Sequence, residues 1–461
     1  MSNTAPDFEA ESPSIDQVAE SQSLKETFGE SLTVLRISQF RLVLLERLLS
    51  TSATGISSVA LSFAVLAVTK SVKHPDGNAA AVSFVLAAQL APMLVFTLVG
   101  GVLADRFRPQ RVMMAANFSA AAGEGLAGVL MLTHSAHTWN LLMAALLMGT
   151  GGALFYPSSQ SLIPRLVPED RMQAASSLSR LAQSSMLMLG AAVGGILVTA
   201  FGPGEAMGLD AVLLLLGTAP LVRITVPALV RAAEKAPGMM HELREGWAEV
   251  RSRTWLWAVI ACYAAVLAGW FGGFTVLGPE VAKARLGGAG AWATIISCDG
   301  LGILLGGIAG LMYQVKRPMF VGTILTFAFA LPPVVMGLGG PLWAISAVSV
   351  LAGFSGEYFM ILWTVALTRH IPQDKLARVY SYDALGSLSA SPLGSLVAGP
   401  ASNAFGTRAV QLGAGAVIVG ATGLTFMSSQ VRNLRADAPV GPATADAGAL
   451  GEEPAPGFAP V

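Results

Sequence analysis

Apolar windows of about 20 residues, each long enough to cross the hydrocarbon core of a bilayer, recur along the chain between short polar breaks. They predict helices over 42–69, 79–104, 110–132, 140–162, 172–200, 208–226, 255–280, 291–314, 319–338, 341–366, 377–402 and 407–428, with the sixth and ninth interrupted by Pro220 and by Pro332 and Pro333. The fold class is therefore an all-α polytopic membrane protein of twelve transmembrane helices. Outside the spans, residues 1–35 are polar and acidic and lack the basic start of a secretory signal. Residues 431–461 turn rich in Ala, Pro and Gly, so both ends read as disordered tails. An amphipathic stretch from Leu32 to Arg41 is expected to lie along the membrane before the first span.

The basic residues separate when alternate loops are assigned to opposite faces. One face collects Arg36, Arg41, Arg106, Arg108, Arg111, Arg165, Arg171, Arg231, Lys235, Arg251, Arg253, Lys316, Arg317, Arg369, Lys375, Arg378 and Arg432, among others, while the opposite face has Lys70, Lys73, Lys283, Arg285 and Arg408. The positive-inside rule makes the first face cytoplasmic and places both termini there. The basic segment 227–254 then becomes a cytoplasmic linker between two halves, 36–226 and 255–430.

Those halves echo each other at an offset of about 205 residues. Gly306-Gly307 and Lys316-Arg317 fall where Gly100-Gly101 and Gln110-Arg111 fall in the first half. The loop from Arg165 to Arg171 is answered by the loop from Arg369 to Lys375, Gly190 by Gly394 and Gly195 by Gly399. Two pseudo-symmetric six-helix bundles suggest a transporter with its site at their interface.

Composition agrees with the class. Of 461 residues 53% are hydrophobic and 12% charged, against about 25% charged in soluble domains. The 50 glycines and a mean hydropathy of +0.62 suit packed membrane helices. Net charge is zero, which leaves no nucleic-acid footprint. Cys262 and Cys298 both sit in apolar stretches and read as packing residues, not as a metal site or a disulfide framework. No cofactor is expected.

One loop carries most of the functional information. Gly100-Gly101-Val102-Leu103-Ala104-Asp105-Arg106-Phe107-Arg108-Pro109-Gln110-Arg111 resembles the signature after the second helix of the major facilitator superfamily, commonly G-x-L-A-D-R-x-G-R-[KR]. Phe107 is followed here by Arg108 where that family often has Gly. In the fifth span, Gly190-Ala191-Ala192-Val193-Gly194-Gly195 resembles the G-P-x-x-G-G element of facilitator antiporters, with Ala191 in place of Pro. Ala145 stands where many drug–proton antiporters have a buried Arg. The runs from Phe155 to Pro168 and from Gly246 to Arg251 are similar to bacterial exporters of the enterobactin-exporter and macrolide-efflux branch. The resemblance implies a secondary transporter of the bacterial inner membrane, exporting an amphipathic small molecule such as a drug, antibiotic or siderophore by proton antiport with alternating access. A monomer is expected.

Charge inside a span is costly and normally faces protein or a watery cavity. Glu124, Asp299 and Glu357 are the candidate proton carriers, because a desolvated carboxyl can change protonation as access alternates. Glu357 leads because span ten borders the cavity in the facilitator fold, with an ion pair to Arg180 as the alternative. Arg47, Arg180 and Asp383 are the remaining intramembrane charge partners. By resemblance, Asp105 holds a cytoplasmic gate beside Gly101 with Arg106, Arg111 or the start of span eleven around Arg378, supported by Arg165 and Arg369. The cavity lining is expected to include the hydroxyl stripe Ser50, Thr54, Ser57, Ser58 and Ser62. Its aromatic candidates are Phe155, Tyr156, Tyr263, Trp270, Phe274, Tyr358, Phe359 and Trp363.

Two other functions share parts of this pattern. A proton-coupled uptake symporter could use the same fold, although the glycine element of span five argues for antiport. A substrate sensor without transport fits two repeated halves poorly. Enzymatic function has no motif: His241-Glu242-Leu243-Arg244-Glu245 lacks the second His of a zinc peptidase helix, and neither a Walker loop nor a nucleophile elbow is present.

Overall fold

The computed structural model describes residues 33–70, 78–106, 108–168, 171–225, 247–313 and 315–435. Within them it describes every side chain except those of 94–106, 156–157, 160–161, 164, 173, 311, 373–374, 376–378, 381, 385 and 388. Each apolar window is helical. In chain order the helices are α1 Ser38–Val68, α2 Ala79–Arg106, α3 Pro109–Leu132, α4 Thr138–Leu166, α5 Met172–Ala200 and α6 Pro203–Val222. The second half holds α7 Thr254–Leu286, α8 Ala289–Met312, α9 Pro318–Gly337, α10 Leu342–His370, α11 in two pieces (Gln373–Leu388 and Ala390–Phe405) and α12 Thr407–Met427. Among the described residues, ten of them are long and apolar enough to span a membrane, and α2 contributes the shorter apolar stretch Ala79–Met93.

Local chemistry explains where the helices depart from the expected bounds. α6 begins at Pro203, five residues before the expected 208, because Gly202 at φ +116° turns the chain and Pro is preorganised for the first helical position. α7 runs on to Leu286 through wide π turns, Trp270–Val276 and Ala282–Leu286, of a kind often found at functional sites. Pro332 and Pro333 do not break α9; they fall in the first turn of its last piece, after the 3-10 turn Phe327–Ala330. In the stretch expected to lie along the membrane from Leu32 to Arg41, Leu32 falls outside the described residues. Val34–Arg36 is a 3-10 turn, α1 starts at Ser38, and Val34 is wholly buried, since an apolar side chain gains more inside the bundle.

In the first half α1 packs on α5 and α6, α3 on α4 and α6, and α2 on α4. In the second, α8 and α9 pack on α10, and α7 on α11 and α12. The halves meet along two seams, α2 with α11 and α5 with α8. At the end of the bundle away from Thr33 and Arg435, one apolar cluster runs through both halves, joining Leu61, Phe63 and Val85 to Phe274, Trp292 and Ala398. At the termini end each half keeps its own cluster, one around Phe40, Met113 and Leu162 and the other around Leu256, Met319 and Trp363. Among the described side chains, the halves are thus sealed to each other at the far end and parted toward the termini.

Candidate functional site

The parting between the halves is lined by faces of α1, α4 and α10. On α1, Thr54 and Ser58 are exposed in mid-helix, on the face from which Arg47 donates from Nη2 to Ser159 Oγ of α4 at 3.2 Å. On α4, Gly152 is exposed, has open space where a Cβ would stand, and lies one turn from half-buried Phe155. On α10, Met360 and Thr364 are exposed beside Glu357. The far end is shut by close backbone approach. Gly399 N–H of α11 donates to Ser83 Oγ of α2 at 2.6 Å, Lys283 Nζ donates to Leu66 O at 3.2 Å, and Gly195 of α5 lies against Ala293 of α8.

The expected hydroxyl stripe is divided by this geometry. Thr54 and Ser58 face the cleft, whereas Ser50, Ser57 and Ser62 are buried. Ser57 turns toward α3 and donates its hydroxyl to Glu124 Oε1. Helical rotation accounts for the split, because neighbours at 100° per residue cannot share one narrow face.

The aromatic lining is corrected in the same way. Phe274, Tyr358, Phe359 and Trp363 are buried in the second half rather than exposed to the cleft. Tyr263 stacks on Phe359 with ring centroids 4.8 Å apart, and Trp270 packs on Phe274 at 4.3 Å and on Phe329 at 5.1 Å. Rings of this size contribute most by filling the core of a half. Tyr263 and Trp270 stay half-buried. Tyr156 lies outside the described side chains.

The intramembrane charges fall into separate groups. Arg180 of α5 donates from Nη1 to Glu357 Oε1 of α10 at 3.0 Å, a bond between the halves, with Arg180 66% and Glu357 21% exposed. Asp383 is held within the second half: Trp363 Nε1 donates to its Oδ2 at 2.9 Å and Ser387 Oγ to its Oδ1 at 3.2 Å. Asp299 is half-buried, with Oδ1 against Gly353 of α10. Glu46 is fully buried and accepts from Asn117 Nδ2 at 3.2 Å. Glu124, 2% exposed, faces Asp210 of α6, 1% exposed.

Asp210 is the group that sequence reasoning missed. It lies two residues inside the expected start of span six, whereas the helix starts at Pro203 and puts it two turns in. A carboxylate within an otherwise apolar window was the available signal.

The side chains of Gly101, Asp105, Arg106 and Arg378 lie outside the described residues. Of the expected supports, Arg111 and Arg369 are exposed at the termini end and Arg165 is half-buried. A separate apolar cavity of about 660 Å³ follows the α5–α8 seam past Met188, Ile196, Thr199, Cys298 and Leu301.

Known proteins share this plan. The chain resembles macrolide efflux protein A of Streptococcus pyogenes, with 20% identity over 385 residues that cover 82% of this chain and 95% of that one. It resembles the multidrug efflux pump Tap of Mycobacterium tuberculosis at 26% over 399 residues, covering 83% and 91%. Its fold matches the crystal structure of the nucleoside transporter NupG with a TM-score of 0.62 and 12% identity, over 85% of this chain and all of that one. It also matches a bacterial homologue of the human lysosomal transporter Spinster, in an inward-facing and unoccupied conformation, with a TM-score of 0.63 and 15% identity, over 85% and 96%. Residues 48–391 match the family model of the Major Facilitator Superfamily, and with two bundles parted around a cleft the chain belongs to that family of transporters and is not an enzyme.

Proposed function

We propose that the protein exports an amphipathic small molecule across the bacterial cytoplasmic membrane in exchange for protons, with both termini in the cytoplasm. The observation that carries this reading is the cleft between the halves, shut at the far end by Gly399, Ser83 and Gly195 and parted toward the termini. The basic loops collect at the termini end, which the positive-inside rule assigns to the cytoplasm. A cleft open on that side loads its cargo from the cytosol. Hydroxyls at Thr54, Ser58 and Thr364 beside Met360 and Phe155 offer a few polar groups on apolar walls, which suits amphipathic cargo. The efflux relatives support the outward direction.

In the cycle, the halves rock about the α2–α11 and α5–α8 seams. Asp105 with Arg106, Arg111 and Arg378 closes the termini end while the far end opens. Cargo and proton each stabilise the facing for which they have the higher affinity. The test uses inverted membrane vesicles and erythromycin. Acidifying the vesicle interior should drive accumulation of the macrolide, and collapsing the pH gradient should abolish it. Extrusion of preloaded macrolide on acidification would instead establish uptake symport.

A further inference from the structure

We infer that Glu124 and Asp210, with the hydroxyl of Ser57, form a proton-binding site inside the first half, and that this site holds the coupling proton. The inference rests on the antiport reading and names its coupling residues. Glu124 of α3 and Asp210 of α6 face each other within hydrogen-bonding reach, both almost completely buried. Ser57 donates to Glu124 Oε1. The three remaining oxygens, Glu124 Oε2 and both of Asp210, are buried and have no donor among the described residues.

Among the described residues, no cation stands near enough to balance the pair. The charged groups on the helices around it are Arg41, Glu46 and Arg47 on α1, Arg111 on α3, Arg165 on α4, Arg180 on α5 and Glu205 on α6. At 1.5 Å per residue, Arg47 lies roughly 15 Å below Ser57 and Arg111 roughly 20 Å below Glu124. Glu205, roughly 7.5 Å from Asp210 along α6, is exposed and of the same sign. Two adjacent carboxylates shut away from water cannot both stay ionised. One proton between them turns an acceptor into a donor and pairs two of the three orphaned oxygens.

The site is also placed to feel cargo. Ser57 points into the dyad while Thr54 and Ser58 point into the cleft, so α1 is the wall between cargo and proton. Any turn of α1 that follows closure around cargo must break or remake the Ser57 bond. Glu357, by contrast, already has the Arg180 guanidinium as counter-charge, and protonating it would cost that pair.

The test uses the full chain in liposomes with labelled erythromycin, measuring movement driven by a pH gradient and downhill exchange without one. Glu124→Gln and Asp210→Asn should each lower gradient-driven movement at least tenfold and leave downhill exchange within about threefold of the unaltered protein. Infrared difference spectra should show a protonated-carboxyl band that both substitutions remove, a readout that needs no cargo. Three results would overturn the inference. In one, the two variants keep gradient-driven movement while Glu357→Gln or Asp299→Asn loses it, so that antiport stands without this site. In another, the dyad variants lose a response to a sodium gradient, which makes the site a metal-cation site. In the last, the carboxyl band is missing from the unaltered protein. Should erythromycin ignore every gradient in the unaltered protein, the antiport reading fails, and the band alone decides whether the dyad holds a proton.

Discussion

Glu249, just before α7, shows how one carboxylate can tie two elements together. Arg253 donates to its Oε1 from Nε at 2.9 Å and Nη2 at 2.8 Å, and Lys375 at the start of α11 donates to Oε2 at 2.9 Å. Burial alone would raise this carboxyl, but the bonds from Lys375 and Arg253 outweigh it and hold it below the usual carboxylate range. A depressed value adds stability above the unfolded carboxylate value, and the contribution is lost as pH falls through the folded value. Glu249→Gln should therefore lower stability by about 1 kcal/mol at neutral pH. Thermal unfolding in detergent should show the gap to the unaltered protein shrinking below about pH 4, and a gap undiminished in acid would refute the account. The Arg180–Glu357 bond is more exposed, so its worth is capped near 1 kcal/mol, about a fivefold effect on rate. Arg180→Gln and Glu357→Gln should each slow exchange by up to that factor, and the exchanged pair Arg180→Glu with Glu357→Arg should recover most of it. An exchanged pair as slow as the single variants would remove the bond from the cycle. At this scale the sequence was legible in part. An ion pair between Glu357 and Arg180 was one of its two readings, because residue type and span depth suffice for that. The depth of Asp210 and the inward turn of Ser57 were not legible, because they depend on where α6 starts and how α1 is rotated.

Whole helices are held by glycines at their crossings, since helix contact in lipid depends on close backbone approach. A Cβ on Gly302 of α8 would collide with the Val350 carbonyl of α10, and one on Gly353 of α10 with the Asp299 carbonyl of α8. Gly420 of α12 has nothing within 4 Å of such an atom. Gly302→Val should consequently separate α8 from α10 and give protein that aggregates or melts well below the unaltered chain. Gly420→Ala should be neutral or stabilising by up to about 1 kcal/mol. Size-exclusion chromatography and thermal unfolding in detergent check both; equal behaviour of the two variants would show that the crossing is not tight. Ten of the spans were readable because each is a long apolar window whose length the bilayer fixes. Irregular turns were not, since the π turns of α7 and the break of α11 at Ser389 answer to packing partners distant in sequence. Gly272 and Gly273, for example, press on Gly394 of α11 and Ala414 of α12.

Across the whole molecule, the internal repeat that pairs Gly195 with Gly399 reappears as the two seams. Gly195 meets Ala293 across α5–α8, and Gly399 meets Ala80 and Ser83 across α2–α11. Equivalent positions of the two halves thus do the same work, bringing backbones close enough to shut the far end. A larger side chain at either position acts against that closure and leaves each bundle intact, because the collision lies between halves and not within one. Gly399→Leu should bias the protein toward a far-end-open arrangement. Spin labels at Leu66→Cys and Lys283→Cys, positions now joined by the Lys283–Leu66 bond of 3.2 Å, report that opening once Cys262 and Cys298 are replaced. The label separation should be short and narrowly distributed in the Gly399 protein, and longer by several ångströms in the Leu variant. Transport should fall at least tenfold in that variant, since a cycle that cannot reseal one end cannot alternate. An unchanged separation together with lost transport would mean that Gly399 serves packing inside its own half, and the far-end seal would have to be sought elsewhere along the seams.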